Sequence, residues 1–254
     1  MFHTDFIQGK PKFLIEGGAA IEGKVVLKHC ILNDIEYERA DMDSIGFYER
    51  AFDYGMVPVG SVEFVLECMD WAGMIPPENI SYSLLPDWAL DRKIEIHSSY
   101  DFEKHKGKFI KPAGQYKLFT GFVYKDLSDM DEYDLDDLEA LKSLPDMNIF
   151  VSEPMDFKQE YRCYIHKGEI VGIARYDMTE EPDLEVFPVD YVYQVIRGMK
   201  KQPVAYSIDV GFVDGSPLVV ECNDCWALGF YKPMNEEKYI QMLVDRWNEI
   251  TQRV

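Results

Sequence analysis

The sequence predicts an α+β protein, and three features carry that expectation. Short apolar runs bounded by Gly, Pro and Asp recur in pairs, as hairpin strands do: KFIK with KLFTGFVY, EYRCYIH with EIVGIARY, AYSIDVGFV with PLVVECND. Longer segments, above all EEKYIQMLVDRWNEITQRV, place apolar residues at helical spacing. The 254 residues are 47% hydrophobic and 14% aromatic, so a core can form along the whole chain. No window approaches the roughly 18 consecutive apolar residues of a membrane span.

Taken in order, KFLIEGG and KVVLKHCIL read as strands with turns between them. From Asp43 to Gly73 two helical stretches are expected on either side of MVPVG, the second capped by Ser61 with Phe64, Val65 and Met69 on one face. The Pro-rich passage from Met74 to Leu90 reads as a link between a smaller N-terminal part and a larger C-terminal one. Residues 106–124 suggest two strands joined by a turn over Pro112 to Gly114. Eight of the fourteen residues from Asp126 to Glu139 are acidic, and they are expected to form a solvated loop entering a helix with Leu135, Leu138 and Leu141 inward. The spacing is not that of a calcium-binding EF-hand loop. Strands follow at Ile149–Ser152, Glu160–His166 and Glu169–Tyr176, the last two joined by HKG. A helix is expected from Asp190 to Gly198. Two further strands joined by DGSP and a C-terminal amphipathic helix complete the pattern.

The charge of −20, from 46 acidic and 26 basic residues, opposes contact with nucleic acid or an anionic membrane, because such contacts depend on Lys and Arg releasing counterions. Five cysteines are an odd number without framework spacing, and the N-terminal MFHTDFIQGKPKFLIEGG lacks a signal-peptide apolar stretch. A reducing cytoplasm is the expected setting. Cys222 and Cys225 form a single CxxC with no second pair, so neither a zinc site nor a redox centre is inferred. The five histidines show no metal spacing, and neither a Walker A sequence nor an N-terminal GxGxxG is present.

Two clusters carry chemistry. Asp209 lies in one strand of the last hairpin, and Glu221 and Asn223, two apart and so on one face, lie in the other. These three hard oxygen ligands suit Mg²⁺ or Mn²⁺ completed by water and phosphate. The other reading is that Asp209 and Asn223 only terminate strands. The second cluster is cationic: Lys111 and Lys117 flank the turn after KFIK, and Arg162 and Arg175 lie on the two strands around HKG. Singly each reads as a surface charge. Together, embedded in strands of an acidic protein, they can hold a polyphosphate.

The order FIKP, SEPxxFxxEYR, IDVGxxxGxxxVVECNDxxALGFY resembles the ATP-grasp superfamily, most closely its small clade marked by two arginines and one lysine. The resemblance spans about residues 106–231. It implies an ATP-grasp domain over residues 96–254, with two α+β subdomains clamping ATP, and a reduced pre-ATP-grasp-like region over residues 1–95. It implies that Lys111, with Lys117 as a second, contacts nucleotide phosphates. Phe150 to Glu153, through the backbone at Val151, Ser152 and Glu153, resembles the adenine-recognising hinge, and Glu160 matches the ribose-binding acid. Asp209, Glu221 and Asn223 match the Mg²⁺ ligands, and Arg162 and Arg175 resemble the arginines that stabilise phosphate and intermediate. Cys225 and Trp226 fall where the family varies with its substrate.

The expected function is an ATP-dependent carboxylate–amine ligase acting through an acyl-phosphate, with small-molecule or peptide carboxylates and amines as substrates. Two alternatives remain open: a catalytically silent nucleotide-binding regulator, and an acidic interaction module using residues 126–139.

Overall fold

The structure, a computed structural model, describes residues 12–18, 20–48, 55–177 and 184–251. The N-terminal stretch MFHTDFIQGK and the end of the first helical stretch expected after Asp43 lie outside them. Helix α1 (Ile21–Asn33) takes in the whole of KVVLKHCIL, where a strand was expected. The reason lies in its neighbours. Strand β1 (Lys12–Glu16) pairs in parallel with both β2 (Tyr37–Ala40) and β3 (Met56–Val59). Parallel neighbours cannot be joined by a tight turn, so the chain needs a crossover between β1 and β2. Gly23, Val26 and Cys30, at helical spacing, bury the inner face of that crossover. MVPV is likewise strand β3 and not a spacer. All four of its residues are buried, and its proline is tolerated because β3 is an edge of the order β2-β1-β3.

The first helical stretch expected after Asp43 is a short 3-10 helix over Met42–Tyr48. The second is α2 (Val62–Trp71), whose N-terminus is capped as the sequence indicates: Ser61 Oγ accepts from the Phe64 N–H at 3.2 Å. Phe64, Val65 and Met69 are fully buried. Ser61→Ala is expected to cost about 1 kcal/mol, read as a lower urea midpoint at unchanged slope.

Beyond the short helix α3 (Asp87–Leu90), two four-stranded sheets follow. The smaller has the order β4-β7-β5-β6, from β4 (Glu95–Ser98), β5 (Phe109–Pro112), β6 (Phe122–Val123) and β7 (Asn148–Ser152). The second strand expected within residues 106–124 shrinks to the two residues of β6, and Lys117 lies in the exposed loop before it. Helix α4 (Glu132–Ser143) covers this sheet with Leu138 and Leu141, while Leu135 stays 39% exposed. Residues three apart drift by about 60° per step around a helix, so a run of three cannot stay on one narrow face.

The larger sheet has the order β11-β10-β8-β9 and is antiparallel throughout, from β8 (Lys158–His166), β9 (Glu169–Arg175), β10 (Ala205–Val213) and β11 (Ser216–Asp224). One face, with Cys163, Ile165, Ile208, Val210 and Cys222, packs on helix α5 (Val189–Gly198). On the other face, Tyr164, Ala174 and Ala205 join one core with the N-terminal parallel sheet and helix α6 (Glu236–Thr251). That second face also carries the site. No described helix is long and apolar enough to cross a membrane.

The β8–β9 turn is tied to α6 through Asp245, whose Oδ2 lies 2.8 Å from His166 Nε2 and 2.7 Å from Lys167 Nζ. Burial pushes the Asp245 carboxyl up, but bonds from Lys167, His166 and Gln241 outweigh it and hold the carboxyl below its ordinary 3.8. Because the folded value is depressed, its stabilising effect is complete above 3.8 and is lost as the pH falls further. Asp245→Asn is expected to flatten the acid limb of a plot of urea midpoint against pH.

Candidate active site

The site begins with a register shift. Along the outer part of the β10–β11 hairpin, Val210 pairs with Val219, but Asp209 pairs with Glu221, so Val220 is an extra residue on β11. This bulge turns Glu221 and Asn223 onto the face that Asp209 occupies. Without it, alternation would aim both side chains at α5. Asp209 also pairs with Arg162 on β8, which brings Arg162, Asp209 and Glu221 side by side across three strands.

The contacts are close. Arg162 Nε and Nη2 donate to the two oxygens of Asp209 at 2.9 and 2.7 Å, a bidentate ion pair in which Asp209 is 1% exposed and Arg162 8%. Asn223 Nδ2 donates to Asp209 Oδ2 and to Glu221 Oε1, both at 3.0 Å. From the smaller sheet, Lys111 Nζ donates to Glu221 Oε2, and it lies 5.2 Å from the centre of the Tyr82 ring.

Burial and pairing compete at each group. Full burial pushes the Asp209 carboxyl above its ordinary value, and Arg162 offsets this only in part. Burial acts on Glu221 in the same direction, but Lys111, with help from Asn223 and Lys117, reverses the outcome and holds its carboxyl at about 2. Burial opposes the charge on Lys111, yet Glu221 and Tyr82 raise its pKa.

A second irregularity places Glu160. The β8–β10 register shifts between Val210 and Phe212, and Gln159 takes up the extra length with a positive φ of 50°. Glu160 then accepts from the Tyr176 hydroxyl at 2.6 Å. Burial raises its carboxyl despite that bond, and Asp209, Asp177 and Glu221 add to the rise.

The structure brings Lys111, Lys117, Ser152, Glu153, Glu160, Glu221 and Asn223 to one cavity of about 670 Å³ between the two four-stranded sheets. Val151 is buried within β7, where its side chain joins the small core under α4. The Glu153 side chain points outward and pairs with Lys108. Arg175 is not brought into the cluster. It pairs with Tyr161, on the opposite face from Arg162, and its Nε donates to Asp177 Oδ1 at 2.6 Å. The cause is a third bulge: Tyr164 pairs with Gly172 but Ile165 with Ile170, so Val171 is extra and reverses the faces of β9 beyond it. Sequence reasoning missed several wall residues, namely Tyr82, Arg92, Phe109, Phe157 and Tyr176. Tyr82 and Arg92 lie in or just after the Pro-rich passage, where no periodicity marks them. Tyr176 follows Arg175 directly, and Phe157 sits inside SEPxxFxxEYR.

Two carboxylates bridged by one side-chain amide, with a lysine and an arginine balancing them, lie beside a cavity large enough for a nucleotide. Residues 90–242 match a family described as an ATP-grasp domain, the second family of the clade named for two arginines and one lysine. The chain belongs to the ATP-grasp family. Among solved structures, the ADP complex of purK, an N5-carboxyaminoimidazole ribonucleotide synthetase, shares 9% identity at a TM-score of 0.55, covering 94% of this chain and 77% of that one. D-alanine–D-alanine ligase from Bacillus anthracis shares 14% identity at 0.46, covering 96% and 99%. The ATP-grasp ligase PsnB, complexed with minimal precursor, shares 13% at 0.47, covering 93% and 100%. No curated protein matches the sequence. At such identities the likeness concerns the fold. The smaller sheet with α4 and the larger sheet with α5 are the two α+β halves of the ATP-grasp fold, facing each other across the cavity.

This fold family implies Mg²⁺, and the donor chemistry fits it. Asp209, Glu221 and Asn223 each carry a hard oxygen donor, and the 3.0 Å bonds from the Asn223 amide nitrogen to both carboxylates show that the three side chains converge. A cation there would take over part of the neutralisation now supplied by Lys111.

Proposed function

We propose that this ATP-grasp chain is an ATP-dependent carboxylate–amine ligase, with residues 96–254 as the ligase domain and residues 1–95 as a reduced pre-ATP-grasp-like region. The observation that carries the reading is the convergence of Asp209, Glu221 and Asn223 with Lys111 and Arg162 beside one cavity. Asp209, Glu221 and Asn223 would hold Mg²⁺ or Mn²⁺. The bound cation would supply neutralisation of phosphate charge. Lys111 and Lys117 would contact the phosphates, the Val151–Glu153 backbone the adenine, and Glu160 the ribose hydroxyls.

A carboxylate oxygen of one substrate attacks the γ-phosphorus of ATP and ADP leaves. An amine then attacks the acyl carbon and phosphate leaves with that oxygen. Arg162, held rigid by Asp209, stabilises the negative charge that grows as the phosphoryl group moves. Placement and electrostatics carry the acceleration, with no covalent enzyme intermediate. Arg175 has no part in this scheme.

The test is ADP formation with Mg²⁺ against a panel of amino acids, peptides and polyamines, followed by mass spectrometry of the product. ADP release that requires both a carboxylate and an amine supports a ligase. Nucleotide binding without such release identifies a silent binder. Lys111→Ala is expected to weaken a non-hydrolysable ATP analogue about 10- to 100-fold in calorimetry. Glu160→Ala should weaken it less, and preference for ATP over GTP should survive both changes.

A further inference from the structure

We propose that Arg92 is a positioning residue that holds the β11 bulge open and so keeps Glu221 and Asn223 aimed at the cation site; this rests on the ligase reading above. Strand β11 is an edge of its sheet, and the segment before β4 lies along that edge. The Cys222 N–H donates to the Ser81 carbonyl at 2.9 Å. Arg92 completes the cover: Nη1 donates to the carbonyls of Leu90 and Val219 at 3.0 and 3.1 Å, and Nη2 to the carbonyl of Val220 at 2.8 Å. Val219 and Val220 are the residues at which the β10–β11 register shifts.

A bulge takes carbonyls out of the ladder, and unpaired carbonyls favour its closure. Closing this one by slippage would put Val220 opposite Asp209 and carry Glu221 and Asn223 to the α5 face. The planar guanidinium reaches the two bulge carbonyls from two separate nitrogens in a fixed fork, which the single nitrogen of a lysine lacks. Its carbon also lies 5.3 Å from the Phe157 ring centre and 5.8 Å from that of Tyr82, which holds the fork against the cavity wall. Arg92 therefore acts through Glu221 and Asn223.

The test is calorimetry with a non-hydrolysable ATP analogue, with and without Mg²⁺, on four proteins. The parent should bind more tightly with Mg²⁺. Arg92→Ala should lose about 10- to 100-fold of that Mg²⁺-dependent gain, the effect expected when a ligand loses its supporting contact, with a much smaller change in Mg²⁺-free affinity. Arg92→Lys should recover only part of the gain. Deleting Val220 in the Arg92→Ala protein should restore it, because the shortened strand keeps Glu221 opposite Asp209 in a regular ladder with no carbonyls to clamp. A full Mg²⁺-dependent gain in Arg92→Ala overturns the proposal while leaving the ligase reading in place. No gain in the parent overturns the cation site itself, and the proposal with it. Equal loss with and without Mg²⁺ also overturns it, since Arg92 would then serve only the nucleotide wall. If Arg92→Ala does not fold, Arg92→Lys and the Val220 deletion in that background decide by the same ratio.

Discussion

Glu221→Ala and Asn223→Ala are each expected to abolish Mg²⁺-dependent ADP release, a loss of at least about 10² to 10³ in rate, while the melting transition remains cooperative. Both side chains sit on the site face of β11, and neither belongs to an apolar core cluster. Removing Glu221 takes away one of two carboxylates and leaves Lys111 without its partner. Removing Asn223 deletes the amide that bridges both carboxylates at 3.0 Å. A methyl group replaces neither oxygen as a cation ligand. A melting curve must accompany the rate, because unfolding would imitate lost chemistry. Undiminished ADP production by both variants would remove the proposed cation site.

The second large effect concerns Arg162, and it has two parts that can be separated. Arg162→Ala should lower the rate by about 10² to 10³ beyond any loss of nucleotide affinity, because the arginine is assigned to charge that grows in the transition state. It should also destabilise the protein by about 3 to 5 kcal/mol, because the Asp209 carboxylate, 1% exposed, loses its bidentate partner. Combining Arg162→Ala with Asp209→Asn removes the buried charge and should recover most of the stability, read by urea denaturation. Turnover should stay lost in the double variant, which lacks both the arginine and one proposed cation ligand, so only its recovery is diagnostic. Recovery of turnover along with stability would show that Arg162 acts only as a structural counter-ion.

Most of the C-terminal half was legible because its signals are local. Hairpin turns, strand alternation and the amphipathic last helix each depend on a few neighbouring residues, and β8 to β11, α5 and α6 appear where those signals place them. What alternation cannot show is a bulge. The Val220 bulge joins Glu221 to Asp209, and the Val171 bulge separates Arg175 from Arg162. Both are single extra residues in strands of ordinary composition, and each reverses every face beyond it. Helix α1 was misread because KVVLKHCIL is apolar at strand spacing and helical spacing alike. Only its place between parallel strands decides the matter. Arg92 and Tyr82 were out of reach for a different reason. They belong to a segment with little regular structure, whose meaning comes from the sheet edge it covers.

The most direct test of the ligase reading follows one oxygen atom. With ¹⁸O in the carboxylate of a substrate that supports product formation, one ¹⁸O per turnover is expected in the released phosphate, because the carboxylate oxygen that attacks phosphorus departs with it. Product formed with unlabelled phosphate would contradict the acyl-phosphate route, and label recovered in AMP would replace it with an adenylate.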